Sequence, residues 1–313
     1  MIHGRGMLVA MPERWDEACF AVPAVRALVR SGLVGALVCL EEQQSFWKTV
    51  CPLPSFTFTQ KTSAGRLSKN LGTDWEVSLV WDAGIAAKAF LKAKIPRRLG
   101  PQDTCLKKFI THPLNAREAP TEHRVRLYLN SAEEMGVSVN LPEFFVPASI
   151  GVPAAPKTIL LCPESDFGNS HEWPLDRWQI LAEDLLEKGW HLTIAGWVGR
   201  RDLGKILAAR LGNEVDFFHA SPLGAALPTL ATFQLIIAAD GSLPHLAAYT
   251  GGTCITLFGP NDPNWKRPLG RQNIVVKHHV ECAPCLSSKC QLDQRCQNEL
   301  QVSSVLAAIP GNF

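Results

Sequence analysis

The chain has 313 residues, long for one hydrophobic core and close to two domains of about 100–200 residues each. Apolar residues make up 46% and charged residues 19%, the balance of an ordinary globular protein. A net charge of +2 gives no general pull toward nucleic acid, and no apolar run reaches the ~18 residues of a membrane helix. The apolar run Met7–Met11 is too short for a signal peptide, so a cytoplasmic protein is expected.

In chain order, Met7–Ala10 reads as a short strand, followed by a polar loop and a helix through Val22–Val29 that stops near Gly32. Val34–Leu40 and Val77–Trp81 read as further strands, and Val125–Met135 as a helix closed by Gly136. Pro147–Pro156, rich in proline and small residues, makes a poor helix or strand and a good linker, so domains are expected at 1–150 and 151–313. Four apolar runs then recur, at Thr158–Cys162, His191–Ala195, Leu235–Ala239 and Cys254–Phe258. Each is apolar on both faces and separated from the next by enough chain for a helix, the pattern of a parallel sheet covered on both sides. Trp178, Leu181, Leu185 and Leu186 form a helical stripe before Gly189; further helices are expected over Leu203–Leu211 and from Pro244 toward Tyr249.

Ligands of open α/β sheets bind beyond the carboxyl ends of the strands. In the second half those ends carry Pro163–Pro174, Gly196–Gly199, Asp240–His245 and Gly259–Pro263, all rich in glycine and small polar residues. Gly241 and Ser242 precede a helix, where free backbone N–H groups suit a phosphate, and His245 can donate from its first turn. The plainer reading is a helix capped by Asp240 or Ser242 above a core histidine. Ser165, His171 and Gly259, in the neighbouring loops, complete the expected donor-side set.

The runs Pro163–Pro174, Ala239–Ala247 and Leu257–Pro263, together with Trp15–Leu28, Ile95–Gly100 and His123–Gly136, resemble the ADP-heptose:lipopolysaccharide heptosyltransferase family, glycosyltransferase family 9. The resemblance runs through nearly the whole chain in order. It implies the GT-B fold: two Rossmann-like α/β domains whose parallel sheets face each other across a cleft, the acceptor in the first and the nucleotide sugar in the second. It also implies an inverting transfer without a catalytic metal. A carboxylate near the N-terminus takes the acceptor proton, and the hydroxyl attacks the anomeric carbon opposite the departing ADP. Aligned on Pro23, Glu17 falls where the family has an aspartate and Asp16 where it has glycine, so either is the candidate base. Both are otherwise ordinary acidic residues complementing a helix dipole.

Four departures fall on the donor side, one being Gly241-Ser242, which reverses the family's usual order. Counted back from Trp173-Pro174, the family's phosphate-binding lysine becomes His171. Glu172 replaces a common basic residue, and Glu164 a usual glycine. The expected partners are ADP-heptose or another nucleotide sugar and a lipid-linked glycan acceptor, with peripheral membrane contact and no nucleic acid. The competing readings are a GT-B enzyme with a UDP- or GDP-linked donor, or a catalytically silent homologue. A dinucleotide oxidoreductase is disfavoured, since no strand end carries G-x-G-x-x-G.

Of ten cysteines, Cys19, Cys39, Cys51, Cys105, Cys162 and Cys254 are scattered and read mostly as buried free thiols. Cys282, Cys285, Cys290 and Cys296 form a cluster that reads as a structural zinc site, iron being the second choice, ahead of free thiols or disulfides. Trp265-Lys266-Arg267, Arg97-Arg98 and Lys107-Lys108 read as solvated surface charge.

Overall fold

Strand and helix alternate along most of the described chain in the computed structural model, which describes residues 6–117, 119, 121–196 and 202–311. The chain divides into two compact units, Met1–Val146 and Pro147–Phe313. The division falls at the start of the proline-rich stretch, and the first strand of the second unit begins within it, at Ala155.

The first unit runs β1 (Met7–Ala10), α1 (Trp15–Arg30), β2 (Val34–Leu40), α2 (Gln44–Val50), β3 (Ser55–Phe58) and α3 (Ala64–Leu71). It continues with β4 (Val77–Leu79), α4 (Ile85–Lys92), β5 (Arg97–Pro101), β6 (His112–Leu114) and α5 (Val125–Glu133). The second unit runs β7 (Ala155–Cys162), α6 (Leu175–Glu187), β8 (His191–Gly196), α7 (Leu203–Leu211), β9 (Val215–His219) and α8 (Leu227–Leu230). It closes with β10 (Phe233–Ala239), α9 (Ser242–Ala247), β11 (Thr253–Phe258), α10 (Pro263–Lys266), β12 (Asn273–Lys277), α11 (Arg295–Asn298) and α12 (Val302–Ala307).

Both sheets are six-stranded and parallel, in the orders β3-β2-β1-β4-β5-β6 and β12-β11-β10-β7-β8-β9. Counted within each unit these are one topology, the doubly wound 3-2-1-4-5-6 order. The strand order reverses between β1 and β4, and again between β7 and β10. These two crevices are where the fold leaves room for ligands.

The central strands are legible because they are buried on both faces: Ile159, Leu161, Leu235, Ile237, Ile255 and Leu257 sit in one continuous core, and Leu160, Ile236 and Cys254 on the opposite face are buried as well. On α6, Trp178, Leu181, Ala182 and Leu185 dock onto that core. Full burial of each large side chain contributes roughly 1.5–3 kcal/mol. Gly189, at φ +75°, ends the helix as expected; its N–H bonds to Leu186 O at 2.9 Å, and that of Trp190 to Leu185 O at 3.1 Å.

Two expectations need correction. Helix α1 starts at Trp15 rather than Val22: Asp16 and Glu17 occupy its first turn, and Pro23 lies inside it. The buried face formed by Cys19, Phe20, Ala24 and Leu28 outweighs the hydrogen bond that Pro23 removes. Strands β3, β5, β6, β9 and β12 escape the sequence pattern. They lie toward the sheet edges and are only half-buried (Val215-Asp-Phe-Phe-His219, for instance), so they lack the continuous apolar run that marks a central strand.

Candidate functional site

The crevice of the second unit is built by the loop after β7, which holds a short 3-10 turn at Asn169–His171, and by the loop after β10. Asp240, fully buried at the end of β10, is its hub. Its Oδ2 meets His171 Nδ1 at 3.0 Å and accepts from Asn261 Nδ2 at 2.7 Å, while its backbone carbonyl accepts from Ser165 Oγ at 2.6 Å. Its Oδ1 has no hydrogen-bond partner among the described residues. Asp240 is therefore an acceptor for a histidine and an amide, where capping was the plainer expectation.

The N–H and hydroxyl groups of Ser242 do not stand open to an anion as expected. The N–H donates to Asp166 Oδ1 at 2.8 Å and the hydroxyl to Asp166 Oδ2 at 2.6 Å. A Cβ on Gly241 would lie 3.0 Å from the same Asp166 oxygen and 3.3 Å from Ser165 Oγ, so glycine lets the two loops close on each other. Gly259 has a packing reason of the same kind: an added Cβ would strike the buried amide of Gln297.

His171 is buried and oriented by Asp240. With Nδ1–H given to the carboxylate, the neutral ring offers Nε2 as an acceptor, and Nε2 donates only when the ring carries both protons. Phe167 stands edge-on to His171, with ring centroids 5.6 Å apart, and lies 6.5 Å from the buried His245 ring. Over the same Phe167 sits Lys266 Nζ, 5.9 Å from the ring centroid and 4.9 Å from that of Trp265. Lys266 is only 7% exposed, so the expectation of a solvated loop charge is overturned. Packing of its stem among aromatic rings draws the ammonium inward.

The other departures also have local reasons. Glu164 Oε1 accepts from the Gly204 N–H at 3.0 Å, which puts a carboxylate on the positive end of α7. Glu172 turns inward, its Oε1 3.4 Å from the Ser165 N–H. The expected loop at Gly196–Gly199 lies, from Trp197 on, outside the described residues.

In the first unit, a pocket of about 360 Å³ opens at the β1/β4 crevice, lined by Glu13, Arg14, Glu17, Trp81, Asp82 and Arg124, among others. Asp16 is fully buried, and Arg14 grips it through Nε at 3.1 Å and Nη2 at 2.9 Å. Glu17 receives Arg124 Nε at 2.8 and 3.0 Å and the Tyr128 hydroxyl at 2.5 Å. Burial and the Glu17 charge push the Tyr128 phenol well above its ordinary value, so it stays a donor. Arg98, read as surface charge, instead clamps the carbonyls of Phe109 and Ile95 at 2.6 and 2.5 Å.

Sequence reasoning missed Asp82, Asp166, Asn261, Arg124 and Tyr128. The strand-end rule would have reached Asp82, which directly follows the expected strand Val77–Trp81. Asn261 lies in a loop already singled out. Arg124 and Tyr128 come from a helix remote in sequence and carried no signal.

No disulfide joins the cysteines among the described residues; Cys19, Cys39, Cys51, Cys162 and Cys254 are buried and Cys105 is exposed. In the cysteine segment, Cys282, Cys285 and Cys290 all lie close enough to raise the Cys296 thiol, which burial lifts most, to about 11. The Leu292 N–H also points at Cys290 Sγ, 3.3 Å away. The donor set suits a soft metal, yet among the described residues no three His, Cys, Asp or Glu side chains stand in metal-holding geometry. No helix among the described residues is long and apolar enough to cross a membrane.

Comparisons with known proteins agree on the family. Lipopolysaccharide heptosyltransferase 1 of Pseudomonas aeruginosa is 34% identical over 119 residues, 38% of this chain and 33% of that protein. The chain thus spans about a third of the length of the curated relatives it matches. Among solved structures, the glycosyl transferase family 9 protein of Veillonella parvula superposes with a TM-score of 0.81 at 13% identity, covering 98% of this chain and 97% of that one. The Escherichia coli heptosyltransferase WaaC with ADP gives a TM-score of 0.76 at 16% identity, covering 98% and 99%. At such identities the likeness establishes the fold, the GT-B type with two Rossmann-like units. The family model of glycosyltransferase family 9 (heptosyltransferase) matches residues 123–295, more than half of the chain, and the chain belongs to that family.

Proposed function

We propose that the chain transfers a heptose from ADP-heptose to a hydroxyl of a lipopolysaccharide inner core or related glycan, by inverting displacement. The second unit would hold the donor and the first the acceptor, at the cytoplasmic face of the membrane. The observation that carries this reading is the Asp240 hub at the β7/β10 crevice. It fixes His171 at the position where the family keeps its phosphate-binding lysine, and Phe167 brings the Lys266 ammonium alongside. A diphosphate needs positive charge or N–H donors as charge builds on the leaving oxygen, and the Lys266 ammonium is the positive charge this crevice has at hand. That a heptosyltransferase of the same fold has been solved with ADP supports the nucleotide assignment.

In the transfer, the acceptor O–H gives its proton to a carboxylate of the first unit. The oxygen bonds to the anomeric carbon, and the bond from that carbon to the diphosphate breaks, its electron pair leaving with ADP. Calorimetry with ADP, UDP and GDP tests the reading. ADP should bind at least about tenfold tighter than the other two, a difference of about 1.4 kcal/mol. Equal binding would point to a different donor, and no binding to any of them to a silent homologue.

A further inference from the structure

Charge is spread unevenly along the first unit. The segment from α4 to β6, Ile85–Leu114, holds seven of the chain's 31 basic residues but only one, Asp103, of its 29 acidic residues. The whole chain carries +2, so everything outside this segment is net acidic. Six of the seven, Lys88, Lys92, Lys94, Arg97, Lys107 and Lys108, are exposed, and none has an ion pair among the described residues. Basic residues elsewhere on the surface do pair, as Arg30 with Glu143, Arg126 with Glu133 and Arg210 with Asp176. Lys88 and Lys92 stand four residues apart on α4, a spacing at which like charges repel. Such a cluster costs stability unless an opposite charge covers it.

The fold brings these cations to one edge. Arg98, the seventh, is half-buried, and its guanidinium donates to the carbonyls of Ile95 at 2.5 Å and Phe109 at 2.6 Å. Thr111 Oγ1 accepts from the Arg98 N–H at 2.9 Å and donates to Pro96 O at 3.2 Å. The stretch 92–97 is thereby fixed alongside 107–111, next to the edge strand β6. Leu91, 41% exposed, and a groove of about 400 Å³ lined by Lys107, Ile110 and Pro113, among others, add apolar surface there.

We propose that this edge of the first unit is a docking surface for a membrane rich in anionic lipids; the choice of a membrane rests on the acceptor reading above. Lysines mixed with exposed apolar side chains match a headgroup layer, which meets the charge at its surface and the apolar groups just below. The cations come from a helix, a strand and a turn, a spread that suits a surface rather than one small anion. Nucleic acid fits less well. Phe90 and Phe109, the aromatic rings of the segment, are buried and offer no face for stacking bases.

The test is sedimentation with vesicles of phosphatidylcholine, alone or mixed with an equal part of phosphatidylglycerol. The protein should bind the mixed vesicles at least about tenfold more tightly and lose that preference near 1 M salt, where the screening length falls to about 3 Å. Each lysine near such a surface is worth about fivefold in affinity, so Lys107→Gln with Lys108→Gln should weaken binding roughly 10- to 30-fold. Lys188→Gln with Lys205→Gln, which removes the same charge from exposed sites of the second unit, should change it by less than about twofold. ADP affinity should stay unchanged in both double variants, which controls for folding. Equal binding to both vesicles, binding to neither, or an equal loss in the two double variants overturns the proposal. So does tighter binding to duplex DNA than to the mixed vesicles. Vesicle binding without sugar transfer would sink the transfer reading and leave this surface standing, whereas sugar transfer without vesicle binding would sink this surface alone.

Discussion

The two units share one strand order, and each puts its polar residues at the same place, the crevice where that order reverses. What fills the crevice is opposite. The first unit gathers carboxylates and arginines around an open pocket of about 360 Å³, where Asp16 and Glu17 are ion-paired. The second gathers a histidine, an amide and hydroxyls around one buried aspartate, with Lys266 packed among aromatic rings nearby. Topology fixes where a ligand can sit, and the loops decide its chemistry. In the reading proposed above, the first crevice supplies the proton acceptor and the second takes the anion.

Four measurements sharpen or break that comparison. The largest effect is common to both units and gives the baseline. Burial raises Cys39 and Cys254 to about 12 and Cys51 to about 11, from 9.0, and lifts Cys19 and Cys162 as well. The folded thiols keep their protons while the unfolded ones ionise. Their stabilising contribution is therefore complete below about pH 9 and lost as pH rises toward 11–12, at up to about 1.4 kcal/mol per pH unit for each thiol. Denaturant midpoints should fall steeply above pH 9 for both units. A flat profile to pH 11 would mean that these thiols are not shielded.

Asp240→Ala should separate the units. It strips the acceptor from buried His171 and Asn261, so a loss of about 2–4 kcal/mol is expected in the second unit's transition, with the first unaffected. A change below about 0.5 kcal/mol would deny Asp240 its place as the hub. His171→Lys should tighten ADP binding roughly 3- to 30-fold, because it puts a fixed ammonium charge where the imidazole stands. Unchanged affinity would mean that the loop faces something other than a diphosphate.

The smallest expected effect concerns the cysteine segment. Elemental analysis of protein purified without added metal should find one zinc, or failing that iron, per chain. Removing it should leave ADP affinity within about twofold, since four thiolates would leave the ion no open position. No metal, with all four thiols open to alkylation, would make this a free-thiol segment.

Much of the fold is legible in the sequence because a strand buried on both faces must be apolar on both. Thr158–Cys162, Leu235–Ala239 and Cys254–Phe258 announce themselves in that way. Strands toward the sheet edge answer to half-burial and do not. Gly189 as a helix stop follows from local backbone freedom, and so was visible. The beginning of α1 was not, because a buried face decided it against the local signal of Pro23. At the site, the loops were found from their place after the strands, whereas the state of each side chain was not. Lys266 read as solvated because lysine usually is, and only the rings of Phe167 and Trp265 say otherwise.

By itself, then, the sequence determined the α/β class, the central strands, the family resemblance and the loops that carry polar residues. These rest on local patterns of hydrophobicity and on glycine, which act over a few neighbouring residues. The tertiary structure decided which polar groups are committed. Glu17 meets Arg124 across 107 residues of chain, and His171 meets Asp240 across 69. A carboxylate's chemistry depends on what lies within about 4 Å of it, and in this fold those neighbours are brought together by the sheet rather than by the order of the chain.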